Sequence, residues 1–243
     1  MEHRYRAPAL DKGLDILELL ATEPGGLTRA EIVKAMGRSQ SEIYRMLERL
    51  VARDYVSRME GDRHFLSMKM FVLASYYPPV NRLLSSAKPL MAAFSKAVFQ
   101  SCHLGIFDRG TITVIAQQDS PSEWGLNLRL GARIELLTSG SGMAYLAFQS
   151  EESIKAIADE PSLAFDDAIM RKLRAVKNQG YWMAPSRQAR GMVDISAPVM
   201  GPNEQALAVV TCPFIERLEG PTTINIDVAL TNLRELANQL SLN

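Results

Sequence analysis

The chain has 243 residues, 47% hydrophobic and 22% charged, a balance that suits one large or two ordinary globular domains. Lysine plus arginine equals aspartate plus glutamate at 27 each, so the molecule is no polycation and any nucleic-acid affinity must come from a local patch. Two cysteines, Cys102 and Cys212, make no disulfide framework, and His3, His64 and His103 match no metal-ligand spacing.

A reduced, cytoplasmic setting with no cofactor and no metal is therefore expected. No apolar run approaches the roughly 18 residues of a membrane span, and MEHRYRAPALDKG has no apolar core of signal-peptide type. No membrane association is expected.

The first helix is predicted over 9–21, where Leu10, Leu14, Leu17 and Leu20 recur at helical spacing; Pro24-Gly25-Gly26 stops it. A second helix starts at Thr28, whose spacing to Glu31 is that of a capping box, and ends at Gly37. Ser39 and Glu42 repeat the box at the start of a third helix, which turns Ile43, Met46, Leu47 and Leu50 inward. Ser41, Tyr44, Arg45 and Glu48 share the outer face, because residues three and four apart are neighbours on a helix. Two short β-patterned runs, 55–58 and 63–67, flank a turn at 59–62. Three helices and a hairpin make a winged helix-turn-helix domain over 1–67.

An apolar helix over 68–77 is cut by Pro78-Pro79, giving a linker helix over 68–79 that also offers a dimer contact. The rest, 80–243, mixes helix and strand. Helices are predicted over 83–99, from 139–142 to 148, over 150–158 and 166–179, and over 223–242. Strands are predicted over 101–107, 111–118, 127–137, 181–184, 193–199 and 206–212, with turns at Asp108-Arg109-Gly110 and Gly201-Pro202-Asn203. The fold class is α+β, an antiparallel sheet flanked by helices.

A helix-turn-helix reads DNA because the major groove admits one α-helix whose first exposed side chains meet the base edges. Those residues here are Arg38, Ser39, Gln40, Ser41, Tyr44 and Arg45, with Thr28 at the start of the preceding helix. Gln40 can bond adenine bidentately, and Arg38 or Arg45 guanine or phosphate. Arg58 and Arg63 flank the hairpin and can follow the backbone or the adjacent minor groove. Residues 1–65 hold 11 cations and 11 anions, but 38–53 hold four arginines against two glutamates, which places positive charge on the reading helix. Two other readings stand beside this one. A small-molecule enzyme would rest on Asp194 with Arg190, which lack a histidine partner; a non-DNA adaptor would use the winged domain to dock protein. No P-loop and no GxSxG elbow occurs, and no catalytic residue is expected.

The runs ALDKGLDILELLA, GGLTRAEIVKAMG, SQSEIYRMLERLVARDYVSR and HFLS, followed by GARIELLTSGSGMAYLAF, NQGYWMAP and RGMVDISAPVMGPNEQALAVV, span nearly the whole chain. In order and spacing they resemble the IclR family of bacterial transcription regulators. That resemblance implies a GAF-like effector-binding second domain and a small organic effector. It also implies a homodimer or dimer of dimers, and a palindromic operator in double-stranded DNA. Repression of a catabolic or transport operon is expected. Effector closure of the second domain would change the spacing of the paired reading helices.

The resemblance carries the effector pocket onto Gly140, Ser141, Gly142, Asp194 and Thr211. The glycines admit two roles, presenting helix N–H groups to a polar ligand or allowing a tight strand-to-helix turn. Asp194 stands where relatives often have cysteine. It either accepts from a hydroxyl- or amine-bearing effector or pairs with Arg187 or Arg190. Pro213 stands where serine is common. Glu42 replaces a frequent threonine, as a cap or as an acceptor for cytosine.

Cys102 and His103, adjacent in a strand, face opposite ways and are not expected to pair. Both cysteines are expected to be buried packing groups. Trp124 and Trp182 are open between pocket, core and interface, and the Met68, Met70, Phe71 stripe between packing and a dimer seam.

Overall fold

The computed structural model describes residues 7–75, 78–123, 125–158, 163, 165–216 and 224–241. The chain divides into two compact units, Met1–Asn81 and Arg82–Asn243.

The first unit runs α1 (Pro8–Ala21), β1 (Leu27–Thr28), α2 (Arg29–Met36), α3 (Gln40–Ala52), β2 (Val56–Met59), β3 (Arg63–Leu66) and α4 (Lys69–Ser75). Its core is Ile16 and Leu20 of α1, Ile32 of α2, Ile43 and Leu47 of α3 and Val56 of β2. Each such side chain contributes roughly 1.5–3 kcal/mol when taken fully out of water, so the helical spacing that buries them also drives the three helices together. The wing gains a strand that hydrophobic patterning does not reveal. Thr28 caps α2 from an extended backbone (φ −70°, ψ 160°), and that geometry lets Leu27 and Thr28 pair with His64 and Arg63. The sheet order is β1-β3-β2.

Among the described residues, α4 starts one residue later than the expected linker helix, and the next helix already includes Pro78 and Pro79. Ser67 Oγ accepts from the Lys69 N–H at 3.1 Å, so α4 begins one turn-forming residue later. Residues 76 and 77 lie outside the described set. Pro78 and Pro79 lie in the first turn of the described part of α5 (Pro78–Val98). A helix's first residues have no intrahelical use for their N–H, so proline fits there. The division between the units falls within α5.

The second unit continues β4 (Cys102–Asp108), β5 (Thr111–Gln118), β6 (Arg133–Glu135), α6 (Gly140–Leu146), α7 (Glu151–Ala158), α8 (Asp167–Gln179), β7 (Trp182–Pro185), β8 (Met192–Met200), β9 (Ala206–Ile215) and α9 (Ile226–Leu240). The sheet is antiparallel, in the order β6-β5-β4-β9-β8-β7. One face packs on α5 and α9 through a core that includes Met91, Phe94, Ile195, Val210 and Leu233. The other packs on α6, α7 and α8 through Ile112, Leu136, Met143, Leu146 and Leu173. Strand alternation sorts β9 between the faces, with Val210, Cys212 and Phe214 to the first core and Val209 to the second.

The strand expected over 127–137 shrinks to Arg133–Glu135. Gly131, at φ 79°, turns the chain there, and its N–H donates to Val114 O at 2.8 Å. Ahead of that turn the backbone makes no ladder and instead borders a cavity. The final helix is Ile226–Leu240, closed before the expected end.

Candidate functional site

In the first unit the two capping boxes set the reading surface. The Thr28 N–H donates to Glu31 Oε2 at 2.7 Å and its hydroxyl accepts from the Glu31 N–H at 3.3 Å, so the Thr28 side chain is engaged in capping α2. Gly37 closes α2 in the left-handed region (φ 59°), where a side chain would be strained. The chain then turns at once into α3. Glu42 accepts from the Ser39 hydroxyl at 2.7 Å and the Ser39 N–H at 3.3 Å, and pairs with Lys12 of α1. Lys12 and the Ser39 bonds hold its carboxyl down at about 2. Of the two roles open to Glu42, the cap is therefore occupied.

Arg38, Ser39, Gln40, Ser41, Tyr44 and Arg45 are all exposed at the start and along the outer face of α3. Tyr44 carries the Arg29 guanidinium over its ring at 4.7 Å. The two wing arginines differ. Arg58 lies on the exposed side of β2 and pairs with Asp62 at 2.6 Å. Arg63 reaches inward, donating to Gly25 O at 3.0 Å and Gly26 O at 2.8 Å, with Glu31 at 3.7 Å. Those bonds fasten β3 to the α1–α2 turn, while the side chain stays 41% exposed and keeps donors free beside the wing. On α4 and just before it, Met68, Met70 and Phe71 are exposed, Phe71 by 66%.

In the second unit a cavity of about 510 Å³ opens beside the start of α6, a volume in the range of small-molecule sites. Gly140, Ser141, Asp194 and Thr211 line it; Gly142 does not. A Cβ on Gly142 would sit 1.9 Å from Leu136 O, and its N–H is taken by Ser139 Oγ at 3.0 Å. The glycine is there because α6 presses on the chain that precedes it. Gly140 lies against Trp182 and Asp194, with room for no side chain that does not displace them.

A polar row crosses the sheet beneath α6, in register as Gln117, His103, Thr211 and Ser196 on β5, β4, β9 and β8. Ser141 Oγ lies 2.8 Å from Thr211 Oγ1, which donates to Ser196 Oγ at 2.8 Å. His103 Nε2 is 3.4 Å from Ser141 Oγ. His103 is 3% exposed and its Nδ1 has no partner among the described residues. Burial pushes the imidazole down to about 4, so it is neutral near pH 7. Sequence spacing gives His103 no role, yet it borders the cavity; the one signal for it is an imidazole within an apolar strand. Cys102 does point the other way, into the α5–α9 core, and burial pushes its thiol up to about 12.

Asp194 is half-buried, which raises its carboxyl above the usual range, while the Ser186 hydroxyl pulls the other way. Among the described residues neither Arg187 nor Arg190 lies within ion-pair distance of it. Gln117 Oε1 accepts from the Leu128 N–H at 3.3 Å, and Leu126 and Leu128 add apolar wall. Arg133 borders the cavity but points its guanidinium at Thr111 Oγ1 and Arg109 O. Trp182 packs in the α6–α8 core; Trp124 lies outside the described residues. Among the described residues no group of three metal-ligating side chains occurs, and no helix is long and apolar enough to cross a membrane.

Two family models divide the chain as these sites do: the IclR helix-turn-helix domain matches residues 9–60, and the bacterial transcriptional regulator IclR C-terminal domain matches residues 79–242. The chain belongs to the IclR family. It is a DNA-binding transcriptional regulator of the helix-turn-helix type. Among curated IclR relatives, the HTH-type transcriptional regulator KdgR of Escherichia coli is 27% identical over 77% of this chain and 74% of its own length. The HTH-type transcriptional regulator BhcR of Paracoccus denitrificans is 26% identical over 96% of this chain and 86% of its own. The crystal structure of Thermotoga maritima IclR shares the fold at TM-score 0.72 and 21% identity, over 96% of this chain and 98% of that one. An IclR homolog from Microbacterium hydrocarbonoxydans, complexed with 4-hydroxybenzoate, superposes at TM-score 0.75 with 21% identity over 96% and 97%.

Proposed function

We propose that α3 is the recognition helix of a cytoplasmic homodimer, or dimer of dimers, which represses a catabolic or transport operon from a palindromic operator. The observation that carries this is the joint exposure of Arg38, Gln40, Ser41, Tyr44 and Arg45 on a helix whose first turn is fixed by the Ser39–Glu42 cap. Arg58 follows the backbone beside the wing. Arg63, 41% exposed beside the wing, and Thr28, at the start of α2, belong to the same DNA-facing surface. The exposed Met68, Met70 and Phe71 supply the dimer seam. The test is binding of the whole protein to the site it selects from a random duplex pool. Affinity should fall steeply with salt. Arg45→Ala should weaken the selected site by roughly tenfold to a hundredfold, the worth of a bidentate base contact. A flat salt response, or an Arg45→Ala protein that binds like wild type, rejects this role for α3.

We further propose that the cavity beside Gly140 holds the small organic effector, with Ser141, Thr211, His103 and Asp194 as its polar partners. Asp194, lacking an ion partner among the described residues, accepts from a hydroxyl or amine donor on the ligand. The solved homolog bound to 4-hydroxybenzoate supports an organic effector of this general kind. Asp194→Ala should leave operator affinity unchanged and abolish release by the effector, read as loss of the ligand-induced mobility shift; retained release contradicts the role.

The chemistry of the cavity favours binding over turnover. A Ser141–His103 pair invites a nucleophile and base, but an imidazole pushed down to about 4, with no acceptor at Nδ1 among the described residues, is a poor base. Effector closure that alters the spacing of the paired α3 helices would mismatch half-sites set about one helical turn, or multiples of it, apart.

A further inference from the structure

The wing tip carries a charge cluster that base reading by α3 does not itself require. Asp62 sits just before β3 at φ 59°, a left-handed conformation that few residues other than glycine adopt, Asn and Asp among them. Its carboxylate forms ion pairs with two arginines from different elements, Arg58 of β2 at 2.6 Å and Arg29, the first residue of α2, at 3.6 Å, neither with hydrogen-bond geometry. Arg29 in turn lies over the ring of Tyr44 on α3. The Arg29 Nε is buried with no partner among the described residues. Its guanidinium is thus held by the Asp62 carboxylate on one side and the Tyr44 ring on the other.

We propose that Asp62 is a positioning residue of the DNA-reading surface, tying the wing to the recognition helix through Arg29 and Tyr44 and restraining Arg58 by charge pairing. The clamp favours discrimination over raw affinity. Two cations at a DNA-facing edge, if unrestrained, would each find a phosphate on any duplex, adding binding that carries no sequence information. Tethered to one carboxylate, they are partly neutralised and set in one geometry, and Tyr44 is kept in one orientation on α3. This inference rests on α3 being the reading helix.

The test uses Asp62→Asn, which removes the charge and still tolerates the left-handed backbone. Glu18→Gln, on the exposed side of α1, is the control for net charge. Affinity for random-sequence duplex is measured against salt, together with affinity for the selected site. Asp62→Asn is expected to bind random duplex about three- to tenfold more tightly near 0.1 M salt. Its log–log salt slope should steepen by about 0.9 for each further phosphate that the released arginines neutralise. Preference for the selected site should drop about tenfold. Adding Arg29→Gln and Arg58→Gln to Asp62→Asn should return the slope to the wild-type value or below. If Asp62→Asn matches Glu18→Gln in slope and preference, the clamp is wrong and the reading helix stands. If wild type itself shows no salt-dependent binding, both fall together.

Discussion

Gly142→Ala is expected to unfold the second unit at temperatures where the wild type is intact. The new Cβ would lie 1.9 Å from Leu136 O and 2.5 Å from the Leu136 carbonyl carbon. Those are backbone atoms, which cannot rotate aside as a side chain can. Either α6 lifts from the sheet or the 136–139 segment is pushed away. Both break the Ser139–Gly142 cap and the packing of Met143 and Leu146 against Leu136. Overpacking a dense core costs about 1–3 kcal/mol where side chains give way. Here the loss is expected at or above about 3 kcal/mol, the upper end of that range. The chain's two tryptophans, Trp124 and Trp182, both fall in the sequence of the second unit, so tryptophan fluorescence excited clear of tyrosine absorption reads that unit on heating. A fluorescence midpoint indistinguishable from wild type would refute the clash. Gly140→Ala should be milder, because the atoms it meets are the Trp182 and Asp194 side chains.

His103 should make the second unit acid-labile within a defined window. Burial pushes its imidazole from 6.5 down to about 4. Between those values the unfolded chain binds a proton that the folded one refuses, so stability falls as pH is lowered through the window. The contribution is complete above pH 6.5 and reaches a loss of about 3 kcal/mol by pH 4, at about 1.36 kcal/mol per unit. His103→Gln should remove that part of the slope. Carboxylates add their own acid sensitivity, so the quantity to read is the difference between wild type and variant in fluorescence-monitored denaturant unfolding across the same window. Parallel curves would show that His103 is not held neutral by burial. A ligand seated in the cavity that donates to Nδ1 would steepen the wild-type loss and leave the variant unaffected.

What the sequence discloses most fully is local chemistry. Thr28 with Glu31, Ser39 with Glu42 and Gly37 between them mark the ends of α2 and α3 because caps act over three or four residues. The same range explains Gly180 closing α8 in the left-handed region, and the Arg109-Gly110 turn between β4 and β5. It also explains the outward set on α3, since helical spacing fixes a face without knowing its neighbours. The α+β class and the antiparallel hairpins follow from period and turn chemistry.

Sequence patterning stops where residues meet across long separations. β4 lies beside β9, so His103 and Thr211 are adjacent although more than a hundred positions apart. Hydrophobic patterning places each in a strand and cannot say that they share a face under α6. Arg63 reads as a free wing cation, yet Gly25 and Gly26 take two of its donors. Gly142 reads equally as a ligand contact or a tight turn, and only the Leu136 carbonyl, 1.9 Å from where its Cβ would be, shows how closely the chain passes there. Strand identity and helix ends are set by a residue's own backbone and its near neighbours. Charge partners, cavity walls and forbidden Cβ positions depend on which distant segments the buried core draws together, and only the folded chain decides that.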